Sequence, residues 1–545
     1  MRHFLVRNWC ALSIGALLLI TAPLGVTSRP ISTGSEAREA AIAKEMAETG
    51  SFLSTRLAGG SLHEKPPFFY AAVAASIRLS GRVSLFSVRF PSVIFSAFTL
   101  LCLAGIARIL FNSRAALFSC VVLATSYLFA VNAHDCLIDV ALTALVAAAL
   151  LGFLVESRRA GFPRWGTLFG MATAGGLLAK GLIGVALPAA ITLPFWWLSR
   201  ERRPLRESIG PGAVAIPFGA LAAWAGGVIL GGGGDAVREA LWDQQVGRFL
   251  GLRAREYSHH RKPFFFYLAA LPGMLFPWIV SIPAVARHAF TGREEKDPAK
   301  LALRSLLMGA TLALALLSVA GTKRTVYFLP VLPVVAAAVG GFLDDRLRNE
   351  ESPGAALWFQ FVPLAVSAAA TPLVPALADG RLSAAEIAVT GSVFFLCVLT
   401  AFSVRRSATR MVGASLATAL ATLLILDLFS LRRMDPDAGA RKFFARVQSR
   451  VSPTDSIYSF HLNEDVLGRA CLALPRRPIA HSDEVRLVRA LAEPGAFLLA
   501  ETRSILRAQR EGKIRLEPVE RGSAGDRSLV LYRTRLEQRR AKASP

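Results

Sequence analysis

The sequence predicts an all-α polytopic membrane protein that carries a small C-terminal α/β domain, and three observations predict it. Of the 545 residues 53% are hydrophobic, and the mean hydropathy is +0.46. Apolar runs long enough to cross a bilayer recur from residue 9 to residue 430. Beyond about residue 434 that pattern stops, and short β-like runs such as Ser456–Phe460, Phe497–Ala500 and Ser528–Tyr532 alternate with charged helical stretches.

Met1–Arg7 puts a basic segment ahead of an apolar run to about Val26, a shape shared by signal peptides and first membrane helices. No A-x-A cleavage site precedes Thr27, so an uncleaved helix is expected. The apolar runs fall at 9–26, 88–110, 115–133, 137–155, 166–180, 181–198, 211–231, 264–286, 302–320, 326–342, 356–377, 385–403 and 411–430, about thirteen spans. The run 66–80 is about 15 residues long, opens with Pro66-Pro67 and carries Arg78, so lying along the membrane surface suits it better than crossing.

With the N-terminus inside, this threading sends Arg108, Arg114, Arg158, Arg159, Arg164, Arg200, Arg202, Arg203, Arg206, Arg346, Arg348, Arg405, Arg406 and Arg410 to the cytoplasmic face, as the positive-inside rule requires. The external face receives loop 27–87, the turn at His134–Cys136, loop 232–262, the turn Gly321–Arg324 and the tail 434–545. The expected domains are therefore a membrane domain over 1–433 and an external soluble domain over 434–545. The net charge of +24 is spread over the short loops as orientation signals are, which argues against a nucleic-acid partner. Four of the six cysteines, Cys10, Cys102, Cys120 and Cys397, lie in apolar runs, and Cys136 and Cys471 have no CxxC spacing, so neither a disulfide framework nor a zinc-cysteine site is indicated.

The polar groups that can carry chemistry gather on the external face. Glu36, Arg38, Glu39, Lys44, Glu45 and Glu48 form a helix-like segment, which reads either as a solvated interfacial helix or as a site. In His63-Glu64-Lys65-Pro66-Pro67 two prolines fix the backbone directly after an acid and a base. Lys65 can meet a lipid phosphate and Glu64 can hold a divalent cation; equally, Lys65 can snorkel above an aromatic belt of Phe68, Phe69 and Tyr70. Asp139 falls one turn into an apolar run, where a carboxylate needs either a buried Arg or Lys partner or a role in a site. Loop 232–262 holds Trp242, Asp243, Arg248 and the run Tyr257–Pro263 with His259 and His260, which suggests anion or metal binding. Gly321-Thr322-Lys323-Arg324 with Tyr327 is the last external cluster and reads also as a charged turn. The glycine run 231–234 lacks the following Lys-Ser or Lys-Thr of a phosphate loop, so no nucleotide cofactor is expected.

Taken in order, SEAREAAIAKEM (35–46), HEKPPFFY (63–70), DVALT (139–143), GLLAKG (176–181), SHHRKPFFFY (258–267) and KRTVYFLPVLP (323–333) resemble the aminoarabinose (lipid A) transferase and protein O-mannosyltransferase group of polyprenyl-phosphate-sugar glycosyltransferases. The resemblance implies a GT-C glycosyltransferase fold in a bacterial inner membrane, with a periplasmic active site, a cytoplasmic N-terminus and a periplasmic tail. It implies a sugar donor on undecaprenyl phosphate, aminoarabinose or hexose-like, and an acceptor in lipid A, another envelope glycan or a protein. The family's first loop usually opens Asp-Glu-x-Arg, whereas this chain has Ser35-Glu36-Ala37-Arg38, so the catalytic carboxylate passes to Glu36 or is absent. Position by position, Lys65, Arg248, Tyr327 and the Lys323 turn would meet the donor phosphate, with Arg38 as part of a gate beside Tyr327. Glu36 and Asp139 would be the catalytic carboxylates, and Glu64 with Asp243 or His260 would hold a divalent metal such as Zn, Mg or Mn. A flippase or transporter would instead place ionisable residues near the bilayer midplane in paired halves, and no internal repeat is visible.

Overall fold

The computed structural model describes residues 26, 30–31, 33–62, 64–157, 166–198, 210–247, 262–291, 297–349, 355–370, 373, 384–404, 407–425, 437–481, 483–493, 495–502, 515–525 and 527–535. The first helix expected over 9–26 lies outside these, apart from Val26. Packing divides the chain into two compact units: one from Met1–Arg29, His63–Phe69 and Arg89–Met434, the other from Pro30–Leu62, Tyr70–Val88 and Asp435–Pro545.

The first unit is helical, and its helices fall on the apolar runs. They are α3 (Leu85–Leu110, in this unit from Arg89), α4 (Ser113–Thr125), α5 (Tyr127–Asn132), α6 (Ile138–Ser157), α7 (Thr167–Lys180), α8 (Ile183–Trp197), α9 (Gly212–Val237), α10 (Phe266–Met274), α11 (Ile282–Phe290), α12 (Pro298–Val319), α13 (Leu332–Asn349), α14 (Ala355–Ala370), α15 (Ala384–Val404) and α16 (Ala408–Ile425). Among the described residues five helical stretches are long and apolar enough to cross a membrane. The stretch Thr325–Arg348 is 94% buried and so runs through the middle of this unit, whereas Gly212–Leu230 is only 17% buried and turns its apolar side chains outward.

The run 264–286, expected as one span, is broken. Phe266–Met274 and Trp278–Phe290 turn by 108° at the break. Pro272 and Pro277 remove backbone donors there. The break is tied to the α4–α5 junction by the Tyr127 amide, which donates to the Phe276 carbonyl (2.8 Å), and by Trp278 Nε1, which donates to Thr125 Oγ1 (2.9 Å).

The second unit combines the first loop with the tail, a different division from the boundary at 434 alone. It holds α1 (Gly34–Thr49), the short hairpin β1 (Arg56–Leu57) and β2 (Gly60–Ser61), and α2 (Phe68–Ser80) from Tyr70 on. From the tail come α17 (Ala438–Arg450), β3 (Ser456–Phe460), α18 (Glu464–Ala473), β4 (Ile479–His481), α19 (Glu484–Ala490), β5 (Ala496–Glu501), β6 (Arg515–Ala524) and β7 (Arg527–Arg535). The strands order as β4-β3-β5-β7-β6, with β3 parallel to β4 and β5, and β7 antiparallel to β5 and β6. Alternating side chains serve two cores. Ile457, Leu499 and Leu531 pack with Phe443, Phe444, Val466 and Ala470 of α17 and α18, while Tyr458, Leu498 and Ala500 pack with Leu487 and Leu491 at α19.

Candidate functional site

In the first unit five chain segments converge on one cavity. Asp139 sits in the first turn of α6 and Lys180 in the last turn of α7, so each charge meets the favourable end of its helix dipole. Helix α7 stops at Lys180 because Gly181 takes a left-handed φ of +75° and closes the turn with its amide on the Leu177 carbonyl (2.7 Å). Lys180 Nζ then reaches across to Asp139 Oδ1 in an ion pair, with side-chain exposures of only 13% and 10%. The same ammonium stands 3.9 Å from the ring centroid of Tyr327, which lies on the 3₁₀ turn Thr325–Val331. The partner that Asp139 required in an apolar run is therefore Lys180.

The cavity has a volume of ≈ 390 Å³. Its polar lining comes from Glu64, Lys65, Lys180, Gln244, Gln245, Thr322 and Tyr327, and its apolar wall from Leu142, Leu182, Ile183, Leu187, Leu316 and Leu317. Glu64 is buried at 5% exposure and Lys65 is half-buried. The Gln245 side-chain oxygen accepts the Leu182 amide (3.3 Å), which pins the segment Arg238–Gly247 against the Gly181 turn. A pair of ammonium groups, a phenol and amides set against an aliphatic wall suits a phosphate head carried on a hydrocarbon chain.

Lys323 directs its ammonium to the backbone carbonyls of Ala320 (2.7 Å) and Lys262 (3.2 Å), and burial holds it below the usual lysine pKa. It thereby staples the turn between α12 and the 3₁₀ segment, whose Thr322 and Tyr327 line the cavity. Asp243 is half-buried next to Gln244, while Arg248 and His260 lie outside the described residues.

A divalent cation on Glu64 needs further hard donors. Among the described residues no three His, Cys, Asp or Glu side chains stand together as a metal set, and Glu64 shares its cavity with the ammonium groups of Lys65 and Lys180, which repel a cation. The described donors do not fit a metal.

Glu36 and Arg38 belong to the second unit. Thr33 caps α1 by accepting the Glu36 amide on Oγ1 (3.2 Å), and Glu36 is fully buried in the first turn. Arg38 donates to Glu464 Oε2 (2.7 Å) and Glu39 Oε1 (3.1 Å). The reading of α1 as a solvated interfacial helix is overturned: Glu36, Arg38, Glu39 and Glu45 are all buried, Arg38 is met by Glu464 of the tail, and Glu45 by Arg477 (3.1 Å) and the Gly59 amide of the β1–β2 turn.

Lys180, Thr322 and Gln245 carry no assigned role in the sequence reading. The signal for Lys180 was a lone lysine between two apolar runs, directly before a glycine.

Residues 64–224 match the protein family described as dolichyl-phosphate-mannose-protein mannosyltransferase. A curated relative from Pseudomonas fluorescens, undecaprenyl phosphate-alpha-4-amino-4-deoxy-L-arabinose arabinosyl transferase 2, is 30% identical over 63% of this chain and 61% of its own length. The corresponding transferase of Pseudomonas aeruginosa strain PAO1 is likewise 30% identical over 63% of this chain and 61% of its own length. The chain thus spans about three fifths of the length of the curated relatives it matches. Among solved structures, ArnT from Cupriavidus metallidurans bound to undecaprenyl phosphate superposes with a TM-score of 0.74 at 18% identity, covering 96% of this chain and 98% of that one. Archaeal oligosaccharyltransferase AglB from Archaeoglobus fulgidus, in complex with an inhibitory peptide and a dolichol-phosphate, gives 0.52 at 13% identity over 91% and 70%. The chain has the fold of these membrane transferases.

Proposed function

We propose that this protein is a membrane glycosyltransferase that moves a sugar from undecaprenyl phosphate to lipid A or another envelope glycan at the periplasmic face. The observation that carries the reading is the cavity where Lys65, Lys180 and Tyr327 meet an aliphatic wall. It is supported by the similarity to aminoarabinose transferases and by the common fold with a structure bound to undecaprenyl phosphate. The proposal includes a body of thirteen spans, a cytoplasmic N-terminus and a periplasmic α/β tail.

As the bond from the anomeric carbon to the phosphate oxygen breaks, the carbon gains positive character and the leaving phosphate gains negative charge. Lys65 meets that charge, with the Tyr327 hydroxyl as a donor beside it and Arg248 as a second cation. Asp139 holds Lys180 against the Tyr327 ring, so the pair orients the wall on which the phosphate rests. An acceptor hydroxyl must lose a proton to a carboxylate, a role that falls to Glu36 or Asp139. An acceptor phosphate on lipid A is already ionised and needs no strong base. The match of residues 64–224 to the protein mannosyltransferase family favours protein Ser or Thr as the second reading of the acceptor.

The test is transfer by the purified protein in nanodiscs, with undecaprenyl-phosphate-linked aminoarabinose as donor and lipid A as acceptor, read by mass spectrometry. Lys65→Ala is expected to lower the rate by about 10²- to 10³-fold, and Glu36→Gln by about 10²- to 10⁴-fold if the acceptor is a hydroxyl. Wild-type rates in Lys65→Ala would remove the cavity from the reaction.

A further inference from the structure

Helix α1 lies against α18 of the tail at van der Waals limits. A Cβ built on Gly468 would stand 2.6 Å from Arg38 Cα, 2.7 Å from Arg38 N and 3.0 Å from the Ala37 carbonyl carbon, all backbone atoms that cannot swing away. One turn earlier on the same face of α18, Glu464 accepts from Arg38 Nη1 at 2.7 Å. Further along the pair, Lys44 Nζ donates to the Cys471 carbonyl (2.8 Å) and Arg477 stands 3.1 Å from Glu45. Residues 426 or more positions apart in sequence therefore grip α1 on successive turns, and the grip is tightest at Ala37 and Arg38.

We propose that Glu464 and Gly468 are positioning residues: α18 sets the direction of the Arg38 guanidinium and the seat of Glu36, so the tail is part of the machinery that orients the first loop. This rests on the transferase reading insofar as Glu36 and Arg38 take part in transfer. Gly468 fixes how near the helices come, because any side chain there displaces the α1 backbone. Glu464 fixes the rotation of Arg38: its side chain is 45% exposed, against 10% for Arg38, so its removal changes the direction of the guanidinium more than the stability of the fold.

The test uses the full chain in nanodiscs with Glu464→Gln, Glu464→Asp and Gly468→Val. Amide hydrogen exchange of the Gly34–Thr49 peptides reads the positioning without reference to activity. Exchange around Arg38 is expected to quicken about tenfold in Glu464→Gln and Gly468→Val and less in Glu464→Asp. Transfer by Glu464→Gln is expected to lose about tenfold in kcat with KM for the donor within about twofold, at an unchanged melting temperature, and Glu464→Asp restores part of it. Wild-type exchange in both Glu464→Gln and Gly468→Val overturns the positioning claim. Faster exchange with wild-type kcat in Glu464→Gln overturns its catalytic consequence. A wild-type protein without transfer activity defeats the transferase reading instead, and the exchange data still decide the positioning.

Discussion

Asp139 and Lys180 neutralise each other where neither is easily kept alone. Each is nearly buried, and removing one leaves the other charge without a counterion in low-dielectric surroundings. Asp139→Asn and Lys180→Met are each expected to cost about 3 kcal/mol of stability. The double variant should lose less than the sum by about 1–3 kcal/mol. Thermal unfolding of the four proteins in one detergent checks this, and strict additivity would mean that the two side chains do not act as a pair. Cys471 makes a second residue-scale case: burial, aided by the nearby Glu45 carboxylate, pushes its thiol up to about 12. The folded protein thus keeps a proton that the unfolded chain gives up near the ordinary thiol value. The corresponding stability is full at neutral pH and is lost as pH rises toward 12, a slope that Cys471→Ala should flatten. Of these residues, Asp139 and Lys65 were legible in the sequence, because a carboxylate inside an apolar run and a lysine before two prolines are locally odd. Lys180 and Glu464 were not assigned, since their meaning lies in partners 41 and 426 positions away.

At the scale of the element, the Gly181 turn decides where Lys180 points. A side chain there meets a positive φ and the Gln245 side-chain oxygen, 1.9 Å from the Cβ position. Gly181→Ala is expected to cost about 2 kcal/mol, partly from φ strain and partly from displaced Gln245. Adding Gln245→Ala should return the steric part only, as measured by thermal unfolding; no recovery at all would show that the contact is not limiting. Hydropathy located the helices of the first unit, and the β-like runs at 456–460, 497–500 and 528–532 fall within β3, β5 and β7. The break at Pro277 and the burial of α1 escaped it. A hydropathy window does not register two prolines as a 108° turn, and a highly charged helix reads as solvated until its partners are known.

At the scale of the whole molecule, the proposed reaction has two defining partners: a polyprenyl-phosphate sugar as donor, and an envelope acceptor. The order of the polar motifs carried the family resemblance, while their assembly needed the fold, since Lys65, Lys180 and Tyr327 come from three separate segments. The most direct measurement is mass spectrometry of lipid A, other envelope glycans and undecaprenyl-phosphate sugars in cells lacking this protein, complemented with either wild type or Lys65→Ala. One sugar is expected to vanish from an envelope acceptor while its undecaprenyl-linked donor accumulates, and only wild type is expected to reverse both. Unchanged acceptor and donor pools in cells lacking the protein would contradict the proposed reaction.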